Sequence, residues 1–96
     1  MKYVYPAMFY PEEDGEFSVL FPDLKGCVTQ GDNLYDALFQ AQDALNFWLD
    51  YLEDMGKEIP AASDLKTIET QGNQFVSLIR ADTDAWRLLN AKKATS

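Results

Sequence analysis

The first third of the chain alternates short apolar runs with turn residues, the pattern of consecutive β-strands. Residues 2–10 are rich in aromatic and β-branched side chains, which favour strands. Pro6 has no N–H to donate to a neighbouring strand, so that side of its backbone should face a sheet edge or a bulge. Asp14-Gly15 indicates a turn before a second strand at residues 16–21. A third, short strand follows at residues 27–30. Three successive strands joined by short turns predict an antiparallel meander.

Residues 33–55 have the spacing of an amphipathic helix. Asn33 is a good N-cap, Asp36 stands at the third helical position as in a capping box, and Gly56 is placed for C-terminal capping. Apolar residues recur at alternating spacings of four and three, which places them on one side of the helix. The predicted buried stripe consists of Leu34, Leu38, Ala41, Leu45, Trp48, Leu52 and Met55, widened by Ala37, Ala44 and Leu49.

The rest of the chain predicts one more strand and a short helix. Residues 57–73 are polar, with a helical turn expected near 64–69, and the apolar residues of 74–81 indicate a fourth strand. Residues 83–93 are compatible with a terminal helix. The order βββαβ, with a possible short C-terminal helix, predicts the α+β class: an antiparallel sheet with a long helix packed on one face. We expect one domain over residues 1–96, with its core in 2–82.

Composition and charge narrow the functional classes. The chain has 96 residues, of which 47% are hydrophobic and 14% aromatic, and this argues against intrinsic disorder. Its formal net charge is −8, and residues 33–55 hold five acidic residues and no basic one. Because nucleic-acid affinity depends on Lys and Arg, this balance disfavours RNA or DNA and suits a basic protein partner.

Histidine is missing and cysteine occurs only once, and each of these facts excludes a chemistry. There is no histidine, which excludes Ser-His and Cys-His catalysis and ordinary histidine metal sites. A single cysteine, Cys27, excludes an intramolecular disulfide, and we expect it to be buried and inert. No apolar run approaches the roughly 20 residues of a membrane span, and the first residues lack the apolar core of a secretory signal. The cytoplasm is therefore the expected location.

One block of sequence carries a family resemblance. Residues 15–32 read GEFSVLFPDLKGCVTQGD, and the FPDL-x-GC-x-x-x-GD pattern within it resembles the signature of the HicB antitoxin family. The alanine-containing segments 36–38 and 42–45 stand where that family has its helix, and Ile59-Pro60 matches the family's segment after the helix. The resemblance covers residues 3–82.

The resemblance implies a partial RNase H-like fold and assembly into dimers or tetramers. It also implies a function: neutralising a HicA-like toxin, a small basic protein of double-stranded-RNA-binding type that cleaves mRNA. An acidic surface would act by occluding the RNA-binding face of this toxin. Many members add a C-terminal DNA-binding domain, but this sequence ends at Ser96. We therefore expect no DNA-binding domain and no direct nucleic-acid contact.

Two other interpretations stay open at this point. One is a regulatory or RNA-related binding module on the same fold without a toxin partner. The other is a degenerate nuclease, since RNase H chemistry uses a cluster of carboxylates that hold two divalent metals. The first strand contains no Asp or Glu, and Asp36, Asp43 and Asp82 alone do not make that cluster. We expect no metal site, no cofactor and no enzymatic activity.

The side of the predicted helix opposite its core stripe is the candidate partner-binding site. At 100° per residue, two phenylalanines fall there among aspartates. Aromatic anchors surrounded by acidic residues would complement a basic partner. The alternative is that the terminal segment or a second copy covers this side. The candidate residues are Asp36, Phe39, Asp43, Phe47 and Asp50.

The fourth strand is the candidate dimer interface. A chain of this size buries a small core, and a strand at a sheet edge needs to be paired or covered. The candidates are the apolar residues of this strand and a nearby tryptophan: Phe75, Val76, Leu78, Ile79 and Trp86.

Overall fold

The computed structural model describes residues 1–95, with side chains through Asn90, and confirms the predicted α+β class. Four strands and two α-helices follow in the order βββαβα, with one 3₁₀ turn at Leu65–Thr67 before the last strand. Neither helix of this described region is long and apolar enough to cross a bilayer. The elements are β1 (Lys2–Pro11), β2 (Phe17–Leu20), β3 (Val28–Gly31), α1 (Leu34–Asp54), β4 (Phe75–Asp82) and α2 (Thr83–Thr95).

The strands form one antiparallel sheet in the order β3-β2-β1-β4. β1 is central, and β3 and β4 are the two edges. Pro6 lies opposite Leu78 of β4, whereas the pairing of β1 with β2 begins only at Met8. Pro6 therefore has no partner on the β2 side of β1. The missing N–H can lie on that side, as the sequence predicts.

α1 packs on one face of the sheet, but the predicted stripe is wrong at both ends. Leu34, Leu38 and Met55 are exposed, and the buried positions centre on Ala41, Leu45 and their neighbours. At the start of α1 it is Ala37, against Gly31 of β3, that contacts the sheet, while Leu34 and Leu38 lie to the side. At the other end Met55 is already the C-cap residue.

Small residues bring α1 close to the sheet. Ala37 and Ala41 are fully buried. At Gly31, the last residue of β3, an added Cβ would lie 2.3 Å from the backbone nitrogen of Ala37. Gly31 is therefore needed for helix packing, in addition to ending a strand.

The FPDL-x-GC part of the sequence block is a packing unit between β2 and β3. Phe21, Leu24 and Cys27 are all almost completely buried, and backbone hydrogen bonds link the three residues in a tight loop. Gly26 adopts a φ of +94°, and an added Cβ there would meet the Trp48 ring at 3.3 Å. The residues of the signature are accounted for by core packing and turn geometry.

The long segment between α1 and β4 forms hydrogen bonds to β1 and to the β2–β3 loop. The Tyr5 hydroxyl donates to the Pro60 carbonyl, and Asp23 accepts from the backbone and hydroxyl of Ser63. The 3₁₀ turn at Leu65–Thr67 lies inside the predicted helical turn, and Asp64 caps it. These contacts give a polar segment a defined path.

Candidate partner-binding site

The C-terminal helix α2 packs on the outer side of α1, where the candidate site was predicted. The indole nitrogen of Trp86 donates to Asp43 at 3.2 Å. The Trp86 ring contacts Phe47 edge to face, with centroids 6.0 Å apart. The terminal segment thus covers part of this side, which was one of the two open alternatives.

Arg87 of α2 brings a positive charge onto the acidic helix. Its guanidinium pairs with Asp50, and a second nitrogen lies 2.6 Å from a carboxylate oxygen of Glu53. The pKa of Arg87 is raised above its ordinary value, and the hydrogen bond to Asp50 is the largest cause. The acidic face of α1 can therefore hold a guanidinium, with Asp50 and Glu53 as its acceptors.

Glu53 joins three parts of the fold and was not singled out from the sequence. One of its oxygens accepts from the hydroxyls of Tyr3 and Thr83, and the other accepts from Arg87. Burial, together with the hydrogen bond to Glu53, raises the pKa of Tyr3 to about 12. One indication of this role is visible in the sequence: Glu53 lies one turn after Asp50 in a segment without basic residues.

The start of α2 is fixed to the beginning of the chain. The N-terminal ammonium of Met1 lies 2.6 Å from Asp84 and lowers the pKa of that carboxyl. The Met1 carbonyl accepts from the backbone N–H of Thr83 at 3.0 Å. Asp82 caps α2, since its carboxylate accepts from the N–H of Ala85. These contacts fix where α2 begins on the sheet.

Asn46 is a second residue that sequence reasoning did not single out as functional. It falls on the outer side of α1, yet it is buried. Its side-chain oxygen accepts from the N–H of Asp82 at 3.0 Å, and its nitrogen donates to the Gln42 carbonyl. Asn46 therefore connects α1 to the junction between β4 and α2.

The predicted site residues play different roles. Asp36 serves the start of α1, because its carboxylate accepts from the N–H of Asp32 while Asn33 accepts from the N–H of Asp36. Phe39 and Phe47 remain 61% and 60% exposed. A groove of about 330 Å³ runs between the helices, lined in part by Phe39, Asp43, Trp86 and Leu89. We call Phe39, Asp43, Phe47, Trp86 and Leu89 the α1–α2 surface.

The predicted dimer residues lie in three different places. Phe75 stacks on Phe9 and Ile79 is buried, so these two side chains belong to the core beneath α1. Trp86 is on α2, against α1. Val76 and Leu78 alternate with Phe75 and Ile79 and lie on the opposite face of the sheet.

Cys27 is buried in the core, and Asp82 lies at the junction of β4 and α2. Burial raises the pKa of the Cys27 thiol to about 11, which keeps it protonated at neutral pH. Within the described residues no three Asp, Glu or Cys side chains stand close enough together to hold a metal ion. Asp82, the acid at the end of β4, instead caps α2.

The comparison with protein families covers nearly the whole chain. The model of the HicB-like antitoxin of bacterial toxin–antitoxin systems matches residues 5–92. The chain belongs to the HicB-like antitoxin family.

Individual relatives agree with this membership. Antitoxin HicB 2 of Photorhabdus laumondii is 35% identical over 91 residues, which cover 95% of this chain and 60% of that protein. Antitoxin HicB 1 of the same organism is 38% identical over 56 residues, 58% of this chain and 36% of that protein. The matched residues thus span 60% of the length of the first of these curated relatives and 36% of the second.

Chains from solved toxin–antitoxin complexes share the fold. A chain of a toxin–antitoxin complex from Streptococcus pneumoniae superposes with a TM-score of 0.80 at 22% identity, covering 90% of this chain and 73% of that one. A chain of the HicA3 and HicB3 toxin–antitoxin complex superposes with a TM-score of 0.67, also at 22% identity, covering 83% and 99%. At these identities the similarity establishes the fold.

Proposed function

We propose that this HicB-like domain is an antitoxin that binds and neutralises a small basic toxin of the HicA type. The observation that carries the proposal is the family match over residues 5–92. The net charge of −8 supports it, because an acidic domain complements a basic RNA-binding protein and speeds its approach.

The α1–α2 surface is the proposed toxin-binding site. The ion pairs of Arg87 are an example of how α1 would bind a basic side chain, since Asp50 and Glu53 hold its guanidinium. Asp43 and Asp54 remain exposed beside them and would meet basic side chains of the toxin. Phe39 stands at the mouth of the groove and is the proposed aromatic anchor, because exposed aromatic residues dominate the energetics of many interfaces.

Neutralisation by this domain would be steric and electrostatic. The bound domain would cover the RNA-binding face of the toxin, including its catalytic residue, and mRNA would no longer enter. The domain itself would contribute no catalytic group and no cofactor. Because the target of such a toxin is mRNA, the proposal places the domain in the cytoplasm.

Co-expression with the toxin tests the proposal. The toxin gene to clone is the open reading frame beside this gene. We expect it to encode a short protein that is rich in Lys and contains histidine. Wild-type domain should restore growth, and Phe39→Ala should weaken toxin binding by about 2 kcal/mol. The matched control is Leu88→Ala, which changes an equally exposed apolar residue on α2 that does not line the groove.

Two results would count against the proposal. If wild-type domain fails to restore growth, this domain is not the antitoxin of that toxin. If Phe39→Ala and Leu88→Ala both melt normally and bind the toxin as tightly as wild type, the toxin binds elsewhere. The acidic turn at residues 12–16 and Asp23 would then be the next surfaces to test.

A further inference from the structure

The two carboxylates that hold Arg87 form a pair suited to an arginine. Asp50 and Glu53 lie one turn apart on α1, and both accept hydrogen bonds from the guanidinium. Their side chains are 27% and 15% exposed, so the pair is partly shielded from water. Because a guanidinium presents its N–H groups in one rigid plane, it can bridge two carboxylates, whereas a lysine offers a single point charge.

The position of Glu53 does not depend on Arg87 alone. One of its carboxylate oxygens accepts from the hydroxyls of Tyr3 on β1 and of Thr83, the first residue of α2. The other oxygen lies 2.6 Å from the guanidinium. If Arg87 left, the two hydroxyls would keep the carboxylate in place for another arginine. Groups that are fixed before binding lower the cost of binding.

α2 is weakly held beyond its first turn. Among residues 84–90, Trp86 and Arg87 are the two whose side chains form hydrogen bonds to α1. Leu88 and Leu89, the large apolar residues that follow them, are 61% and 60% exposed. The first residue of the helix, in contrast, is buried and bonded to the beginning of the chain. A segment with so few buried contacts opens more readily than the core, and α2 can open from an anchored start.

The two side chains that hold α2 cover the part of α1 that the toxin would contact. Trp86 packs against Phe47 and donates to Asp43, and both of these α1 residues belong to the proposed toxin-binding site. Arg87 occupies the carboxylate of Asp50 beside them. α2 thus places a tryptophan and an adjacent arginine on α1, and these are two of the residue types that dominate protein interfaces.

We propose that α2 is an internal competitor of the toxin, and that an arginine of the toxin replaces Arg87 between Asp50 and Glu53. This inference rests on the proposed function and specifies how its site is used. α2 opens from its anchored start, and an apolar or aromatic residue beside the toxin's arginine takes the place of Trp86 against Phe47. Part of the binding energy is used to open α2, so the toxin binds less tightly than it would to an uncovered α1.

Charge and packing favour replacement over binding on top of a docked α2. With α2 in place, a basic toxin meets the positive charge of Arg87 in the middle of the acidic face. When α2 opens, this cation leaves, and α1 presents five acidic residues and no basic one. The groove of about 330 Å³ between the helices also shows that α2 does not pack closely along α1.

The toxin affinity of Arg87 variants tests the competition. Arg87→Ala should lower the dissociation constant of the toxin by at least about threefold, because α2 is then open more often. Arg87→Gln keeps a long side chain and carries the same expectation, so a folding defect in one variant does not remove the test. Arg80→Ala is the matched control. It removes the same charge from an exposed residue of β4 that forms no salt bridge within residues 1–90, and it should change the affinity far less.

Hydrogen exchange of the wild-type domain shows whether α2 opens in the complex. The backbone amides of Leu88, Leu89 and Asn90 should exchange faster in the complex than in the free domain, because a detached helix of 13 residues is marginal in water. A toxin that binds on top of a docked α2 would slow their exchange instead. The amides of Leu45 and Leu49, on the buried side of α1, are the reference and should stay protected in both states.

Two results would overturn this inference and leave the proposed function standing. A toxin that binds wild type, and binds folded Arg87→Ala and Arg87→Gln no more tightly than Arg80→Ala, does not compete with Arg87. Slower exchange at residues 88–90 in the complex would show that α2 stays docked. A third result concerns both proposals: if neither wild type nor Arg87→Ala binds the toxin, the proposed function fails, and this inference fails with it.

Discussion

Arg87 on α2 donates to the carboxylate of Asp50 on α1, across the junction of the two helices. α1 contains five acidic residues and no basic one, so this contact brings a cation from elsewhere in the chain onto its acidic face. Because the same guanidinium also reaches Glu53, it connects the packing of α2 to the contacts at the start of the chain.

Removing this cation should loosen α2 without unfolding the domain. Arg87→Ala breaks partly exposed ion pairs, which contribute little individually, and we expect a small loss of stability. Thermal melting measures it, with Lys66→Ala as the control because Lys66 is exposed on the 3₁₀ turn and forms no salt bridge within residues 1–90. The difference should shrink at high salt. An unchanged melting temperature for Arg87→Ala would show that α2 is held by its other contacts.

Truncation along α1 tests which side of the helix forms the core. Leu45→Ala should lower the free energy of unfolding by roughly 2–5 kcal/mol, because it opens a cavity under a completely buried side chain. Leu38→Ala removes the same atoms from a residue that is 39% exposed and should cost far less. Urea denaturation compares them, and equal losses would contradict the placement of α1 on the sheet.

Alkaline pH should destabilise the domain through Tyr3. Its pKa rises from 10.0 to about 12 in the fold, so the unfolded chain ionises first and stability falls as pH increases through this window. Below pH 10 the contribution is fully present. Tyr3→Phe should flatten the decline between pH 10 and 12. The comparison needs a Cys27→Ala background, because the thiol pKa is raised from 9.0 to about 11 and acts in the same direction. Parallel pH profiles for the two chains would show that folding does not raise the pKa of Tyr3.

The domain should not cleave nucleic acid. Among its described residues no three carboxylates or thiols are placed to hold a metal ion, and Asp82 is occupied as the cap of α2. Purified domain should therefore show no magnesium- or manganese-dependent cleavage of RNA or of an RNA–DNA hybrid. Asp82→Asn is a mild change, since Asn is an equally good cap. Cleavage that survives repurification and disappears in Asp82→Asn would contradict the antitoxin function.

The sequence predicts the strands and helices well because short-range patterns determine them. Alternation, turn residues and the Asn33 cap are all local signals. The register of α1 on the sheet is not local: it depends on the close approach of Gly31 to Ala37, which puts Ala37 rather than Leu38 against the sheet. Helical periodicity alone does not contain that information.

The placement of the candidate site residues was predictable in part for the same reason. Helical geometry places Phe39, Asp43 and Asp50 on one side, and the structure keeps them there. Asn46 and Glu53 were not recognised because their partners, Asp82 and Thr83, approach only when β4 and α2 fold back onto α1. Side-chain hydrogen bonds between distant segments leave no periodic signal.

Inhibition of purified toxin by purified domain tests the central claim most directly. The measurement is mRNA cleavage by the HicA-like toxin with increasing amounts of the domain. We predict that an equimolar amount stops cleavage, and that Asp43→Lys with Asp54→Lys slows association and requires more protein, because like charges then meet across the interface. Undiminished cleavage in the presence of a large excess of folded wild-type domain would contradict the account.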